Sequence, residues 1–175
     1  MKVDAAVAII PARYNSTRFP GKPLAEIEGK PLIEYVYRRV EKACLISGTA
    51  VATDDRRIAE AVERFGGTAI MTRNDHPSGT DRLAEAVHGI SSDTLIVNVQ
   101  GDEPMIDPAD IDRAITAART GSAEMVTLMT KIGGTEAADP NRVKVVTDRN
   151  GTRVYRGTSR RPRAGGTGLA PFRRY

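Results

Sequence analysis

The chain has 175 residues, 40% apolar and 27% charged, with a net charge of +4 and a single cysteine. Such a composition suits a globular domain whose core needs neither disulfide nor metal to fold. It leaves Cys44 as a free core thiol, as expected in a reducing cytoplasm. No apolar stretch approaches the ~20 residues that span a bilayer, and Ala5 to Ile10 is too short before Pro11 and Arg13 for a signal peptide. A cytoplasmic protein with no membrane partner is therefore expected.

The positive charge is local. Residues 151–175 hold seven arginines and no acid, so residues 1–150 alone carry −3. The basicity belongs to a tail. With few aromatic residues for stacking bases, no nucleic-acid partner is expected.

In chain order, Val3 to Ile10 reads as a strand buried on both faces. A helix over about Pro31 to Leu45 buries Ile33, Val36 and Val40 on one side. A second strand follows at Thr49–Thr53, then a helical period at Ile58, Val62 and Phe65. A third strand at Thr68–Thr72 leads to "SGTD" at 78–81, with Ser78 as cap and Leu83, Ala86, Val87 and Ile90 as the apolar stripe. A fourth strand at Thr94–Val99 precedes "DPAD" at 107–110, where Asp107 caps a helix carrying Ile111, Ala114, Ile115 and Ala118. Strands are also expected at Val126–Thr130 and Val143–Thr147. From Gly151 onward glycine, proline and arginine without periodicity predict loop or disorder.

Alternating strands and helices with short connections predict parallel βαβ units, hence an open, mostly parallel α/β sheet in three layers. The predicted division is a domain over 1–150 and an irregular tail over 151–175. In such sheets ligands bind beyond the carboxyl ends of the strands.

Three stretches fall at those ends. "PARYNSTRFPGKPL" follows the first strand and sets Arg13, Arg18 and Lys22 among small residues, as a polyphosphate requires; the alternative is a solvated basic turn. A Walker A loop would need Gly at Ser16 and Ser or Thr at Pro23, and no GxGxxG is present. "TRNDHPSGTDR" at 72–82 offers Ser78, Gly79 and Thr80 at a helix start, with Arg73 and Arg82 adding charge; a plain cap fits equally well. "VNVQGDEP" at 97–104 delivers Asp102, a hard carboxylate suited to Mg²⁺, and Gln100, a donor and acceptor for base or sugar; the alternative is a polar turn. His76 and His88 lack partners at zinc spacing, and Asp54-Asp55 reads as a cap or a binding pair. Cations, one metal carboxylate and no nucleophile are enough for phosphoryl or nucleotidyl transfer.

"IIPARYNSTRFPGKPL", "VATDDRRIAEAVERFGGTAIMTRNDHPSGTDRLAEAV" and "LIVNVQGDEPMI", with "DPNRVKVVTD" further on, together resemble the 3-deoxy-manno-octulosonate cytidylyltransferase (CMP-Kdo synthetase) family. The resemblance covers about Val7 to Asp148. It implies a Rossmann-like nucleotidyltransferase fold and the reaction of CTP with Kdo to CMP-Kdo and pyrophosphate, for lipopolysaccharide synthesis. Arg13 and Lys22 would neutralise the triphosphate, with Arg18 nearby and the Pro11–Ala12 backbone along the cytosine. Arg73, Ser78, Gly79 and Thr80 would line the nucleotide pocket, Gln100 would contact nucleotide or sugar, and Asp102 would hold Mg²⁺. The family is typically a homodimer.

Stretches resembling "RHIGIYAYR" and "GVDTPEDL" in the family, the latter with a second metal carboxylate, have no counterpart here. The resemblance thus implies a chain shortened or diverged after about residue 150. Weak or absent catalysis is expected of it, with CTP binding without turnover, or activation of a related acid such as 8-amino-Kdo or sialic acid, as alternatives.

Overall fold

The computed structural model describes residues 5–15, 19–121, 123–132, 138–140 and 142–147, and the backbone of 153–157. The chain divides into two compact units, Met1–Ile115 and Thr116–Tyr175.

The first unit is built on four parallel strands: β1 (Ala6–Ala12), β4 (Gly48–Thr53), β5 (Ala69–Met71) and β6 (Leu95–Asn98), in the order β5-β4-β1-β6. A short 3₁₀ turn (Lys22–Leu24) and a minimal hairpin, β2 (Glu26–Ile27) and β3 (Lys30–Pro31), lead from β1 into helix α1 (Leu32–Val40). Helix α2 (Arg56–Arg64) joins β4 to β5, α3 (Gly79–Ala86) joins β5 to β6, and α4 (Pro108–Thr120) follows β6.

Strand alternation sorts the core into two faces. Ala6, Ala8, Ile10 and Ala12 of β1, with Val51, meet Ile33, Val36 and Val40 of α1, Ile58 and Val62 of α2, and Ile111 and Ile115 of α4. Ile9, Ala50 and Ala52 point the other way, onto Ala86, Leu83 and Val87 of α3 and its exit. The three-layer α/β sheet expected from sequence is thus present. Each fully buried Ile or Val contributes roughly 1.5–3 kcal/mol. The small residues of β1 let the helices approach the sheet closely.

Pro11 lies inside β1, paired in register with Ala52, and not after its end as the sequence suggested. A proline in a central strand normally forfeits a ladder bond. The Val99 N–H donates to Ile9 O at 3.2 Å, and β1 pairs with β6 only from Ala6 to Ile9. By alternation Pro11 turns to that same side, beyond the last paired residue of β6, where no donor is required.

Other boundaries also differ from expectation. Phe65 and Ile90 fall just past their helices, and Pro31 occupies the cap of α1. Cys44, expected in the core, is exposed; its N–H and that of Leu45 donate to the Asp112 carboxylate at 2.9 and 2.8 Å, which fastens the exit of α1 to α4.

In the second unit, β7 (Lys144–Thr147) pairs antiparallel with β8 (Arg153–Gly157). Loop or disorder was expected at 153–157, because the arginines and glycines of the tail mask the short β-forming core of "RVYRG". Conversely, 127–130 forms no strand among the described residues. Met125 and Leu128 there are exposed, so the β-formers lack the half-buried surface that gives their propensity effect. No helix of the described residues is long and apolar enough to cross a membrane.

Tyr37 ties α1 to the sheet. Its buried hydroxyl donates to Thr49 O at 2.9 Å and accepts from the Thr68 N–H at 3.1 Å. Tyr37→Phe leaves both backbone groups unpaired and is expected to destabilise the chain by about 1–3 kcal/mol, measured by urea unfolding; an unchanged midpoint would show the bridge to be dispensable.

Candidate functional site

The strand order reverses at β1: the chain moves outward through β4 to β5, then returns to place β6 on the opposite side. The crevice beyond the carboxyl ends of β1 and β6 is the switch point at which such sheets bind ligands. A cleft of about 260 Å³ opens there. Pro11, Ala12 and Arg13 from the end of β1 form one wall, and Lys22 and Pro23 from the 3₁₀ turn another; Gly79 and Arg82 of α3 and Gln100, Gly101 and Asp102 after β6 complete it.

Opposite charges meet across this cleft. Lys22 Nζ lies 2.7 Å from Asp102 Oδ2, with the side chains 39% and 55% exposed. Both groups therefore remain accessible. At that exposure the pair adds little stability, so its placement is better understood as chemistry than as scaffolding. Gly101 permits the approach: a Cβ there would stand 3.0 Å from the Pro11 carbonyl oxygen, a backbone atom that cannot move aside.

The structure thus gathers seven of the predicted site residues, Pro11, Ala12, Arg13, Lys22, Gly79, Gln100 and Asp102, around one space. Three others stand off its wall. Ser78 caps α3, its hydroxyl accepting from the Asp81 N–H at 3.2 Å; Thr80 is exposed; and Arg73 points to Asp75 at 3.3 Å. Arg18 lies outside the described residues. Asp55 acts as the cap of α2.

Sequence reasoning undervalued Arg82. Its side chain is 1% exposed; Nη2 donates to Asp54 Oδ2 at 2.8 Å, and Nη1 donates to Arg73 O at 3.2 Å and to the Thr72 hydroxyl. One guanidinium thereby joins α3 to the ends of β4 and β5. Its buried Nε has no partner among the described residues. The available signal was the pairing of an arginine in the first turns of α3 with a carboxylate at the end of the neighbouring strand. Arg82→Met strands Asp54 without its counter-charge and is expected to cost about 3 kcal/mol, read from denaturant midpoints.

The loop before α3 is held from the other side by Glu85, which accepts from the Arg73 N–H at 3.1 Å and contacts the His76 ring. The His76 bond, followed by the Arg73 N–H, holds the Glu85 carboxyl below its ordinary value of 4.5. A depressed carboxyl stabilises the fold above that ordinary value, and the contribution is lost as pH falls through the lower folded value. The melting-temperature advantage of the native chain over Glu85→Gln is therefore expected to persist down to about pH 5 and to vanish in stronger acid. A difference independent of pH would exclude the linkage.

Among the described residues no three carboxylate, histidine or cysteine side chains cluster as a closed metal site. Asp102 alone fits the other arrangement, in which Mg²⁺ takes one or two protein carboxylates and completes its shell from water and phosphate.

An open parallel sheet with cations and a carboxylate at its switch point defines an α/β domain of the Rossmann-like class, with a charged crevice where such sheets take ligands. A family model described as cytidylyltransferase matches residues 7–164, and the chain belongs to that family. It is 54% identical over 151 residues to the 3-deoxy-manno-octulosonate cytidylyltransferase of Trichlorobacter lovleyi, covering 85% of this chain and 60% of the relative. It is 48% identical over 154 residues to that of Escherichia coli, covering 87% and 62%. The structure of CMP:2-keto-3-deoxy-manno-octonic acid synthetase complexed with CTP superposes with a TM-score of 0.85 at 46% identity, over 95% of this chain and 69% of that one. The chain spans about three fifths of the length of the curated relatives it matches. The family resemblance read from the three motifs agrees with these comparisons.

Proposed function

We propose that the chain carries the CTP-binding part of a Kdo cytidylyltransferase, which converts CTP and 3-deoxy-manno-octulosonate to CMP-Kdo and pyrophosphate. The observation that carries this reading is the Lys22–Asp102 pair at 2.7 Å across the switch-point cleft. A magnesium triphosphate bears both complementary charges: its phosphate oxygens suit Lys22 and Arg13, and its cation suits Asp102. The cytidylyltransferase relatives, one of them complexed with CTP, support the choice of nucleotide.

Mg²⁺, when bound, would neutralise triphosphate charge. The chain's own residues position the nucleotide. Lys22 and Arg13 would orient the β- and γ-phosphates so that pyrophosphate is the leaving group, while the Pro11–Ala12 backbone and Gly79 bound the space for the nucleoside and Gln100 offers an amide to base or sugar. The Kdo anomeric oxygen would then attack the α-phosphorus in line, forming the new P–O bond as the bond to pyrophosphate breaks. Such transfer relies on positioning and charge neutralisation more than on covalent participation. The same reading puts the reaction in the cytoplasm, feeding lipopolysaccharide synthesis, with a homodimer for the full-length protein.

A second reading is CTP binding without turnover, since the residues around the cleft answer the charges of the nucleotide and its cation alone. Stabilisation by CTP with Mg²⁺, but not by ATP or GTP, is expected under both; Kdo-dependent pyrophosphate release separates them. Lys22→Ala is expected to weaken CTP binding about tenfold, the scale of one charge-assisted bond. Asp102→Asn is expected to abolish the magnesium dependence of CTP binding. Retention of that dependence in calorimetry would remove Asp102 as the metal ligand.

A further inference from the structure

Arg57 lies outside the cleft, yet its guanidinium meets the loop that supplies Lys22 at Tyr14. Its Nε and Nη2 donate to Asp55 Oδ1 and Oδ2 at 2.9 and 2.6 Å, and Asp55 also accepts from the Arg57 N–H at 3.0 Å, so the carboxylate is fixed by the start of α2. The guanidinium carbon sits 3.4 Å from the centroid of the Tyr14 ring. Tyr14 in turn governs where the loop closes: the Gly21 N–H donates to Tyr14 O at 2.8 Å, and a Cβ at Gly21 would stand only 3.0 and 3.1 Å from ring carbons of Tyr14 and 3.3 Å from its hydroxyl. Gly21 has φ +72°, a left-handed conformation that glycine adopts without strain. Lys22 is the next residue, and its 3₁₀ turn packs on α2.

We propose that Arg57 is a positioning residue for the cationic loop: held over the Tyr14 ring by Asp55, it fixes the point at which the chain returns through Gly21 to present Lys22 to the cleft. A bidentate cation suits this task, since a lysine could offer the ring a point charge but could not also make the fork to both Asp55 oxygens. Arg56 provides an internal contrast. It carries the same charge one residue earlier, is 85% exposed, and among the described residues reaches only Glu60, at 3.3 Å. With its side chain 58% exposed, Arg57 can be removed without opening the core.

The extension to nucleotide affinity rests on the CTP reading above, so the test has two arms. By hydrogen exchange on the 175-residue chain without ligand, Arg57→Ala is expected to accelerate the Gly21 amide about 5-fold, the loss expected for one stacked cation, while Arg56→Ala leaves it unchanged. Unchanged exchange at Gly21 in Arg57→Ala, or equal acceleration in both variants, would overturn the proposal whatever happens with CTP. In calorimetry, Arg57→Ala is expected to weaken CTP about 5-fold and CMP not at all, and to have no further effect in a Lys22→Ala background. An equal loss with and without Lys22 would assign Arg57 a role independent of the loop and overturn the positioning claim. If the unaltered chain fails to bind CTP, the nucleotide reading falls, while the exchange result still decides the clamp.

Discussion

The reversal of strand order at β1 is the constraint from which the rest follows. Parallel strands need crossovers, and here they run outward to β5 on one side before β6 returns to the other. Among the described residues no strand-to-strand crossover closes the carboxyl end between β1 and β6, and a cleft opens there. Because β6 stops pairing at Ile9, the last residues of β1 project past it. Pro11 is tolerable there for the same reason that the cleft exists: nothing on that side requires its missing N–H.

The loops at this opening are secured by ion pairs between the end of β4 and its neighbours. Asp54 and Asp55 are adjacent, yet each turns to a different arginine. Asp54 takes the buried Arg82 and so anchors α3, while Asp55 takes the exposed Arg57, whose guanidinium rests on Tyr14. The two pairs differ in kind. Arg82 is enclosed, and loss of either partner would leave an uncompensated charge in a poorly polarisable place. Arg57 is solvated, so its contribution is geometric more than energetic. Lys22 and Asp102, by contrast, are paired but accessible, which leaves them able to exchange partners.

Much of this was legible in the sequence because the local rules agree with the fold. The helical stripes at Ile33, Val36 and Val40 and at Ile58 and Val62 predicted the buried faces, and Ser78, Asp55 and Asp107 sit where helix caps belong. The cationic and Gln-Gly-Asp loops stood out as candidates for chemistry because Arg13, Lys22, Gln100 and Asp102 belong to no core cluster among the described residues. What escaped were contacts between distant segments. Arg82 read as added charge for an anion at the start of α3 until Asp54, 28 residues away, closed on it, and nothing in "SGTDR" indicates that this arginine is enclosed. Tyr14 and Gly21 likewise acquire meaning only when the loop closes and Arg57 arrives from α2. The β8 strand was hidden for a different reason: composition averaged over a tail outweighs a five-residue ladder whose pairing with β7 depends on register.

The same geometry explains why binding and turnover are separable under the proposed function. A triphosphate is recognised by charge, and Arg13, Lys22 and Asp102 converge on one cleft within a single folding unit. The chemical step asks for more, since in-line attack requires the acceptor oxygen to be held at the α-phosphorus against thermal motion, and the gain from such orientation far exceeds that of any one charge contact. Neutralising the nucleotide lowers the cost of bringing two anions together but does not align them. A chain that holds the nucleotide cleft would therefore bind CTP with much of the family's recognition, while its rate would depend steeply on whatever surface holds the sugar acid in line.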